Sequence, residues 1–136
     1  MIVSEPQLQY VDGLSLQGNC GYRIEESRVY VTVESINSNR DFDNLSGSLT
    51  LELWATRQPF DGVNLDGEVA AETALEPLQG QHFLPACEYD LDFNEPATGN
   101  WYMSLVLREW TEEGYQVRDF VNFEVPYVVS WQPVVI

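Results

Sequence analysis

The chain has 136 residues and a formal net charge of -16, because 22 acidic residues stand against 6 basic ones, all of them Arg. Such a surface repels polyanions, so the composition disfavours binding to nucleic acid and adsorption to anionic membranes. No stretch is long and apolar enough for us to expect membrane insertion. The hydrophobic fraction of 44% and the aromatic fraction of 12% suffice for a folded core, and we assign residues 1–136 to a single domain.

The first expected strands lie in the N-terminal third of the chain. A weaker one covers 7–17 and a clear one covers 28–36, where RVYVTVES alternates valine with other residues. Between them, QGNCGY is predicted to be a Gly-rich turn holding Cys20. With only one further cysteine, Cys87, whose surroundings are expected to differ, we predict that both remain thiols.

The middle of the chain adds three expected strands. Residues 47–56 alternate strongly in GSLTLELWAT. Residues 67–75 are rich in Ala, which favours a helix, but the preceding Gly, the short length and Pro77 favour a strand. Residues 87–93 place acids on one face and Tyr89 and other apolar side chains on the other.

The last two expected strands, 100–110 and 115–125, form a hairpin around the turn TEEG. In the second of these strands Val117 and Val121 are expected to point inward, with Asp119 as an exception. The pattern predicts that six apolar residues lie between two sheets: Leu51, Leu53, Leu105, Leu107, Val31 and Phe123.

About seven short strands separated by polar turns indicate an all-β fold, an antiparallel β-sandwich of the immunoglobulin or fibronectin-III type. The ranges from 28–36 onward then correspond to strands B to G. Up-and-down alternation places the connections 37–46 and 111–114 at one end, and 57–66 and 94–99 at the other.

From about residue 46 onward the chain resembles a known group of modules through SGSLTLELWAT, PFDG, GNWYMSLVLREW and GYQVRDFVNFE. It is similar to the immunoglobulin-like sandwich modules of large secreted bacterial proteins, including adhesin-like and calcium-binding proteins and extracellular proteases. The resemblance implies a β-sandwich framework and an extracellular setting, and it defines no catalytic residue. A cytoplasmic product remains the alternative, because the chain shows neither a signal peptide nor a transmembrane segment.

Two groups of acidic residues bear on whether the chain binds calcium. The acids Glu88, Asp90 and Asp92 are read as a solvated strand face, and the EF-hand pattern is absent. A site assembled from two connections is an alternative, because Ca²⁺ takes oxygen ligands from flexible segments. The expected metal ligands are Asp61, Asn64, Asp66, Asn94 and Glu95. A slightly less well placed alternative at the other end of the sandwich is Asp41, Asp43 and Asn44 with Glu112 and Glu113.

An enzyme is not expected. His82 is the only histidine and has no Ser or Asp motif nearby, and the sequence contains no zinc spacing and no phosphate-binding loop. Paired carboxylates are expected by chance among 22 acids.

The strands 47–56, 100–110 and 115–125 share an outer face rich in aromatic residues and Arg, the types enriched at binding hot spots. The expected interface residues are Trp54, Tyr102, Arg108, Trp110, Arg118 and Phe120. Alternatively, the tail YVVSWQPVVI or the stems of Arg and Glu cover this face. The first hypothesis is a non-catalytic module that binds a protein or a second copy of itself. The alternatives are a calcium-stabilised structural module of a bacterial surface or secreted protein, and a carbohydrate-binding domain.

Overall fold

The structure, a computed structural model, describes residues 2–4 and 13–130. This described part is built from strands joined by turns and short connections. Their order is β1 (Ile2–Ser4), β2 (Leu14–Glu25), β3 (Arg28–Ser38), β4 (Leu49–Thr56), β5 (Gly67–Leu75), β6 (Phe83–Asp92), β7 (Gly99–Thr111), β8 (Gly114–Asn122) and β9 (Tyr127–Val129).

The strands form two antiparallel sheets. Sheet A has the order β1-β2-β3-β6, and sheet B has the order β5-β4-β7-β8, with β9 pairing the start of β7. Apolar residues of both sheets belong to one buried cluster, so the sheets pack face to face as a sandwich. The prediction of an all-β, antiparallel fold is confirmed.

The core contains the residues that the alternation predicts. Each of the six named above is at most 3% exposed, and all belong to the cluster between the sheets. The ring of Phe123 meets that of Tyr22 edge to face, with centroids 4.9 Å apart. Burial raises the pKa of Tyr22 to about 12, and its hydroxyl has no hydrogen-bond partner within the described residues.

The segment QGNCGY is not a turn, and that prediction is wrong. It lies inside β2, where a bulge between Gln17 and Cys20 and a positive φ of 75° at Gly18 let the strand continue. Cys20 and Cys87 flank Val33 on the two neighbouring strands. Both are buried, so the expected difference in their surroundings is also wrong. Two strand spacings separate their Cα atoms by about 10 Å, too far for a disulfide.

The remaining elements agree largely with expectation. The Ala-rich 67–75 is a strand, whereas the expected strand at 7–17 is described only from residue 13 onward, because residues 7–12 lie outside the described part. The backbone N–H of Asn94 donates to Ala70 O at 2.7 Å, which joins the connection after β6 to strand β5 of the other sheet.

Candidate functional site

The outer face of sheet B carries side chains from three neighbouring strands. Val106 faces Phe120 and Trp110 faces Tyr115 across the β7–β8 pair. Trp54 contributes to the same face from β4, where it is half-buried. These pairings make the face a continuous apolar and aromatic surface, whose exposure depends on what packs over it.

The connection between β4 and β5, residues 57–66, folds back over the middle of this face, and we name it the covering loop. Its Phe60 meets Phe120 edge to face, with ring centroids 4.7 Å apart. The side-chain amide of Asn122 donates to Phe60 O at 2.9 Å. Gly62 has a φ of 90°, and a Cβ there would lie 3.2 Å from the Phe120 ring, so glycine lets the loop approach closely.

The covering loop buries part of the expected interface and leaves another part exposed. Phe120 and Val106 are 3% and 0% exposed and, with Phe60, form a second small core against which Trp54 packs. The expectation that Phe120 is available to a partner is therefore wrong, because a count of strand parity cannot foresee a connection that folds back. The tail was the other expected cover, and its residues 131–136 lie outside the described part.

The other end of the same face is open. Trp110 is 54% exposed and Tyr115 is 37% exposed, and their rings meet edge to face with centroids 5.1 Å apart. Nη2 of Arg108 donates to Tyr115 O at 3.2 Å, and its guanidinium carbon lies 5.8 Å from the centre of that ring. We name Arg108, Trp110 and Tyr115 the exposed aromatic end.

Glu52 fixes the side chains next to this end. Its carboxylate is 4% exposed and accepts hydrogen bonds from Trp54 Nε1 and Thr50 Oγ1, both at 2.8 Å. Arg108 Nη1 lies 3.3 Å from the same carboxylate, while its buried Nε has no partner within the described residues. Paired in this way, Glu52 holds both Trp54 and Arg108 against the sheet.

A bulge in β8 determines which side chains reach the exposed aromatic end. The register shifts at Arg118, so Val117 faces Arg108 on the outer side, whereas an inward position was expected. Arg118 was expected on the outer face and instead donates from Nε to Glu109 Oε1 at 2.8 Å. Both expectations failed because alternation with period two does not continue through a bulge.

Glu109 lies at the centre of an ionic cluster at the end of the sandwich. It is 5% exposed and receives both terminal nitrogens of Arg40, at 2.7 and 2.8 Å, as well as Arg118. The backbone N–H of Gly47 donates to it at 2.9 Å. Burial opposes ionisation of Glu109, but these hydrogen bonds outweigh it and lower its pKa to about 2. Arg40 and Arg118 thus balance the negative charge of Glu109, whose role is structural.

The expected metal ligands in the covering loop have other roles. Oδ1 of Asp61 accepts the backbone N–H groups of Val63 at 2.8 Å and Asn64 at 2.9 Å, and these bonds lower the pKa of Asp61. The carbonyl oxygen of Asp66 accepts the N–H of Arg57 at 3.1 Å. The carboxylate of Asp61 thus stabilises the turn of its own loop.

The other two expected ligands follow β6. Asn94 bonds through its backbone, as described above, and Glu95 accepts the hydroxyl of Tyr127 at 3.2 Å. Residues 13–130 contain no group of three or more His, Cys, Asp or Glu side chains placed to hold a metal ion.

The remaining candidate residues are explained by the fold. Glu88, Asp90 and Asp92 project from the exposed face of β6, as a solvated strand face should, and Arg28 forms ion pairs with the last two. His82 is exposed, and its ring lies 5.8 Å from that of Phe42.

No family model, curated protein or solved structure matches the chain. Within the described ranges, no helix is long and apolar enough to cross a membrane. The surfaces of the chain itself are thus the basis for assigning a function. Among them, the exposed aromatic end keeps three residues of the types that dominate protein interfaces.

Proposed function

We propose that the chain is a non-catalytic interaction module that binds a partner protein through the exposed aromatic end. The observation that carries the proposal is the solvent exposure of Trp110, at 54%, next to Tyr115 and Arg108. Contiguous exposed apolar patches mark interaction sites, and Trp110 and Tyr115 are exposed side by side. Trp, Tyr and Arg are also the residues whose truncation most often abolishes binding.

The proposal includes an immunoglobulin- or fibronectin-III-like arrangement of the sandwich. The order β5-β4-β7-β8 in sheet B resembles the sheet of a variable-type domain, in which strand C′ lies beside C. Strand D of a constant-type domain would instead pair with β6. In such sandwiches the loops gather at the two ends, and the β7–β8 turn at one end carries the proposed binding residues. An extracellular setting, implied by the resemblance to secreted bacterial modules, fits this role.

Charge favours a cationic partner over a second copy of the chain. The turn that joins Trp110 to Tyr115 contains Glu112 and Glu113, both exposed. Each of two copies would carry a net charge of -16, and repulsion between like charges raises the free-energy cost of their association. A partner with Lys or Arg around an apolar socket would complement both the rings and the acidic turn.

Two of the edge strands, β5 and β6, also argue against self-association by strand addition. The edge strand β5 carries Glu68 and Glu72, both exposed. The edge strand β6 has Pro85 and a positive φ of 47° at Ala86, which interrupt a regular edge. Charges, proline and irregular backbone are features that prevent edge-to-edge pairing. The exposed aromatic end is therefore the better candidate for an interface.

A peptide library tests this proposal without knowledge of the natural partner. Phage displaying random peptides would be selected on the wild-type protein without counter-selection, and the selected peptides would then be tested on Trp110→Ala. We expect the selected peptides to be rich in Lys and Arg around an apolar residue. Synthetic copies should bind the wild type and lose roughly tenfold or more in affinity on Trp110→Ala, which corresponds to about 1.4 kcal/mol.

Val63→Ala is the matched control, because Val63 is 78% exposed but lies in the covering loop, away from Trp110. Peptides that bind Trp110→Ala as tightly as the wild type, or that show no excess of basic residues, would contradict the proposal. Sedimentation velocity at rising protein concentration tests the alternative. A dimer that Trp110→Ala abolishes would identify a second copy as the partner and contradict the basic partner.

A further inference from the structure

The outer face of sheet A contains a second surface of interest, which carries no charged side chain although the chain as a whole is strongly acidic. The strand register aligns Ser15 with Asn37, and Asn37 with Phe83, in one row across β2, β3 and β6. The next row aligns Gln17, Ser35 and Pro85 in the same way. We name these two rows the neutral platform, defined as Ser15, Gln17, Ser35, Asn37, Phe83 and Pro85.

The platform is uncharged in a chain that carries 22 acids. The other half of the same face is charged, with Arg23, Tyr30 and Asp90 aligned in one of its rows. Glu34, which precedes Ser35, turns its carboxylate to the backbone N–H of Asn19 at 3.1 Å. An uncharged polar surface on such a protein suits an uncharged polar ligand better than an ion of either sign.

A cavity of about 400 Å³ lies over the first row of the platform. Its lining includes Gln17, Asn37 and Phe83 from the sheet, with Asn39 and Gln81 from the adjoining connections. This volume falls within the range of pockets that hold small ligands, roughly 300 to 1,000 Å³. The lining combines amide groups with an aromatic ring, and it contains no carboxylate.

Backbone hydrogen bonds join the segments that surround this cavity. The N–H of Asn39 donates to Gly13 O at 2.7 Å, and that of Gln81 donates to Ser38 O at 3.0 Å. The N–H of Ser38 donates in turn to His82 O at 3.0 Å. The cavity is therefore formed before a ligand arrives, which reduces the ordering cost of binding.

The amides on the platform keep polar atoms for a ligand. Nε2 of Gln17 donates to Ser15 Oγ at 2.8 Å, and Oδ1 of Asn37 is hydrogen-bonded to the hydroxyl of Ser35. Within the described residues these bonds leave the oxygen of Gln17 as an acceptor and the nitrogen of Asn37 as a donor. A hydroxyl group can both donate and accept, so neighbouring hydroxyls of one ligand can pair with this donor and this acceptor.

Phe83 adds an apolar surface beside these groups. Its side chain is 58% exposed, and Phe42, which contacts the cavity-lining His82, is 71% exposed. The C–H face of a sugar ring can pack on an aromatic ring while its hydroxyls bond to the amides. We propose that the neutral platform binds an uncharged sugar residue of a glycan. This site lies on the opposite sheet from the exposed aromatic end and does not rest on the function proposed above.

Titration of the ¹⁵N-labelled protein with oligosaccharides, followed by NMR, tests the proposal. The probes are cellohexaose, xylohexaose and mannohexaose, with hexagalacturonate as the anionic comparison. We expect saturable shifts of the side-chain amide signals of Gln17 and Asn37 with at least one neutral probe. Phe83→Ala should weaken that binding roughly tenfold, as should Asn37→Ala.

Val128→Ala is a matched control, because Val128 is also 58% exposed but lies on β9 of the other sheet. It should bind the probe like the wild type, and so should Trp110→Ala, which separates this proposal from the proposed protein interface. Unchanged amide signals with every neutral probe would overturn the proposal. Binding that survives Phe83→Ala with the fold intact, or that is tighter for hexagalacturonate, would also overturn it.

Discussion

Asp119 places a carboxylate on the inner face of β8, between the sheets. It is 1% exposed, and its two oxygens accept the backbone N–H of Leu16 on β2 at 2.7 Å and that of Phe120 at 2.8 Å. Burial disfavours the charged form and outweighs both hydrogen bonds, so the pKa of Asp119 rises from 3.8 to about 6. The stability of the protein should therefore depend on pH through this residue.

The raised pKa of Asp119 determines whether the protein gains or loses stability as the pH rises. A pKa that is higher in the folded state than in the unfolded state means that protonation favours folding. The contribution of Asp119 is therefore complete below the unfolded value of 3.8 and is lost as the pH rises through about 6. The difference of about 2 pKa units corresponds to about 3 kcal/mol in the free energy of unfolding.

Asp119→Asn removes this titration while keeping a polar side chain of the same size. The free energy of unfolding would be measured by urea denaturation across the acid range for both proteins. Relative to the variant, the wild type should lose about 3 kcal/mol between pH 4 and pH 7. Other acids titrate in both proteins, so the difference isolates Asp119.

Asp43→Asn serves as the control, because Asp43 is exposed in a connection and its replacement should change the free energy of unfolding by less than about 0.5 kcal/mol. A difference between the wild type and Asp119→Asn that stays constant with pH would show that burial does not govern the ionisation of Asp119. A difference of opposite sign, with the variant most destabilised relative to the wild type at neutral pH, would show that the charged form stabilises the fold.

Two further substitutions test the outer face and the ionic cluster. Phe60→Ala should lower the free energy of unfolding by about 3 kcal/mol and expose Phe120, whereas Phe42→Ala, at a position 71% exposed, should change it by less than about 0.5 kcal/mol. Equal urea midpoints for both variants would contradict the covering role of the loop. Glu109→Gln should cost about 3 to 5 kcal/mol at neutral pH by removing the buried carboxylate that Arg40 and Arg118 share. That cost should shrink as the pH falls from 4.5 towards 2. Glu112→Gln, at an exposed position, should change the free energy of unfolding at neutral pH by less than about 0.5 kcal/mol.

Alternation predicts those parts of the fold where strands are regular. The inward positions of Leu51, Leu53, Leu105 and Leu107 follow from period two, because β4 and the middle of β7 pair residue by residue there. The same reasoning failed for QGNCGY, because glycines that permit a bulge are indistinguishable in sequence from glycines that form a turn.

The candidate site was harder to predict than the core. The sequence indicates that Trp110 lies on the outer face, but it does not show that Phe60 returns over Phe120, since that contact depends on the path of a connection. The neutral platform was missed as well. Its residues are Ser, Gln, Asn, Phe and Pro from three distant strands, and only the register brings them into two rows.

The bulge at Arg118 connects the ionic cluster to the proposed interface. Phe120 points to the outer face. If β8 had no extra residue, side chains would alternate regularly back along the strand from Phe120, and Tyr115 would point inward, away from Trp110. The bulge reverses the side chains that precede it, so Tyr115 joins Trp110 on the outer face. The side chain of Arg118 itself pairs with the buried Glu109. The single bulge thus turns Arg118 towards the ionic cluster and Tyr115 towards the outer face. For this reason the ionic cluster and the exposed aromatic end both lie within a few residues of the β7–β8 turn.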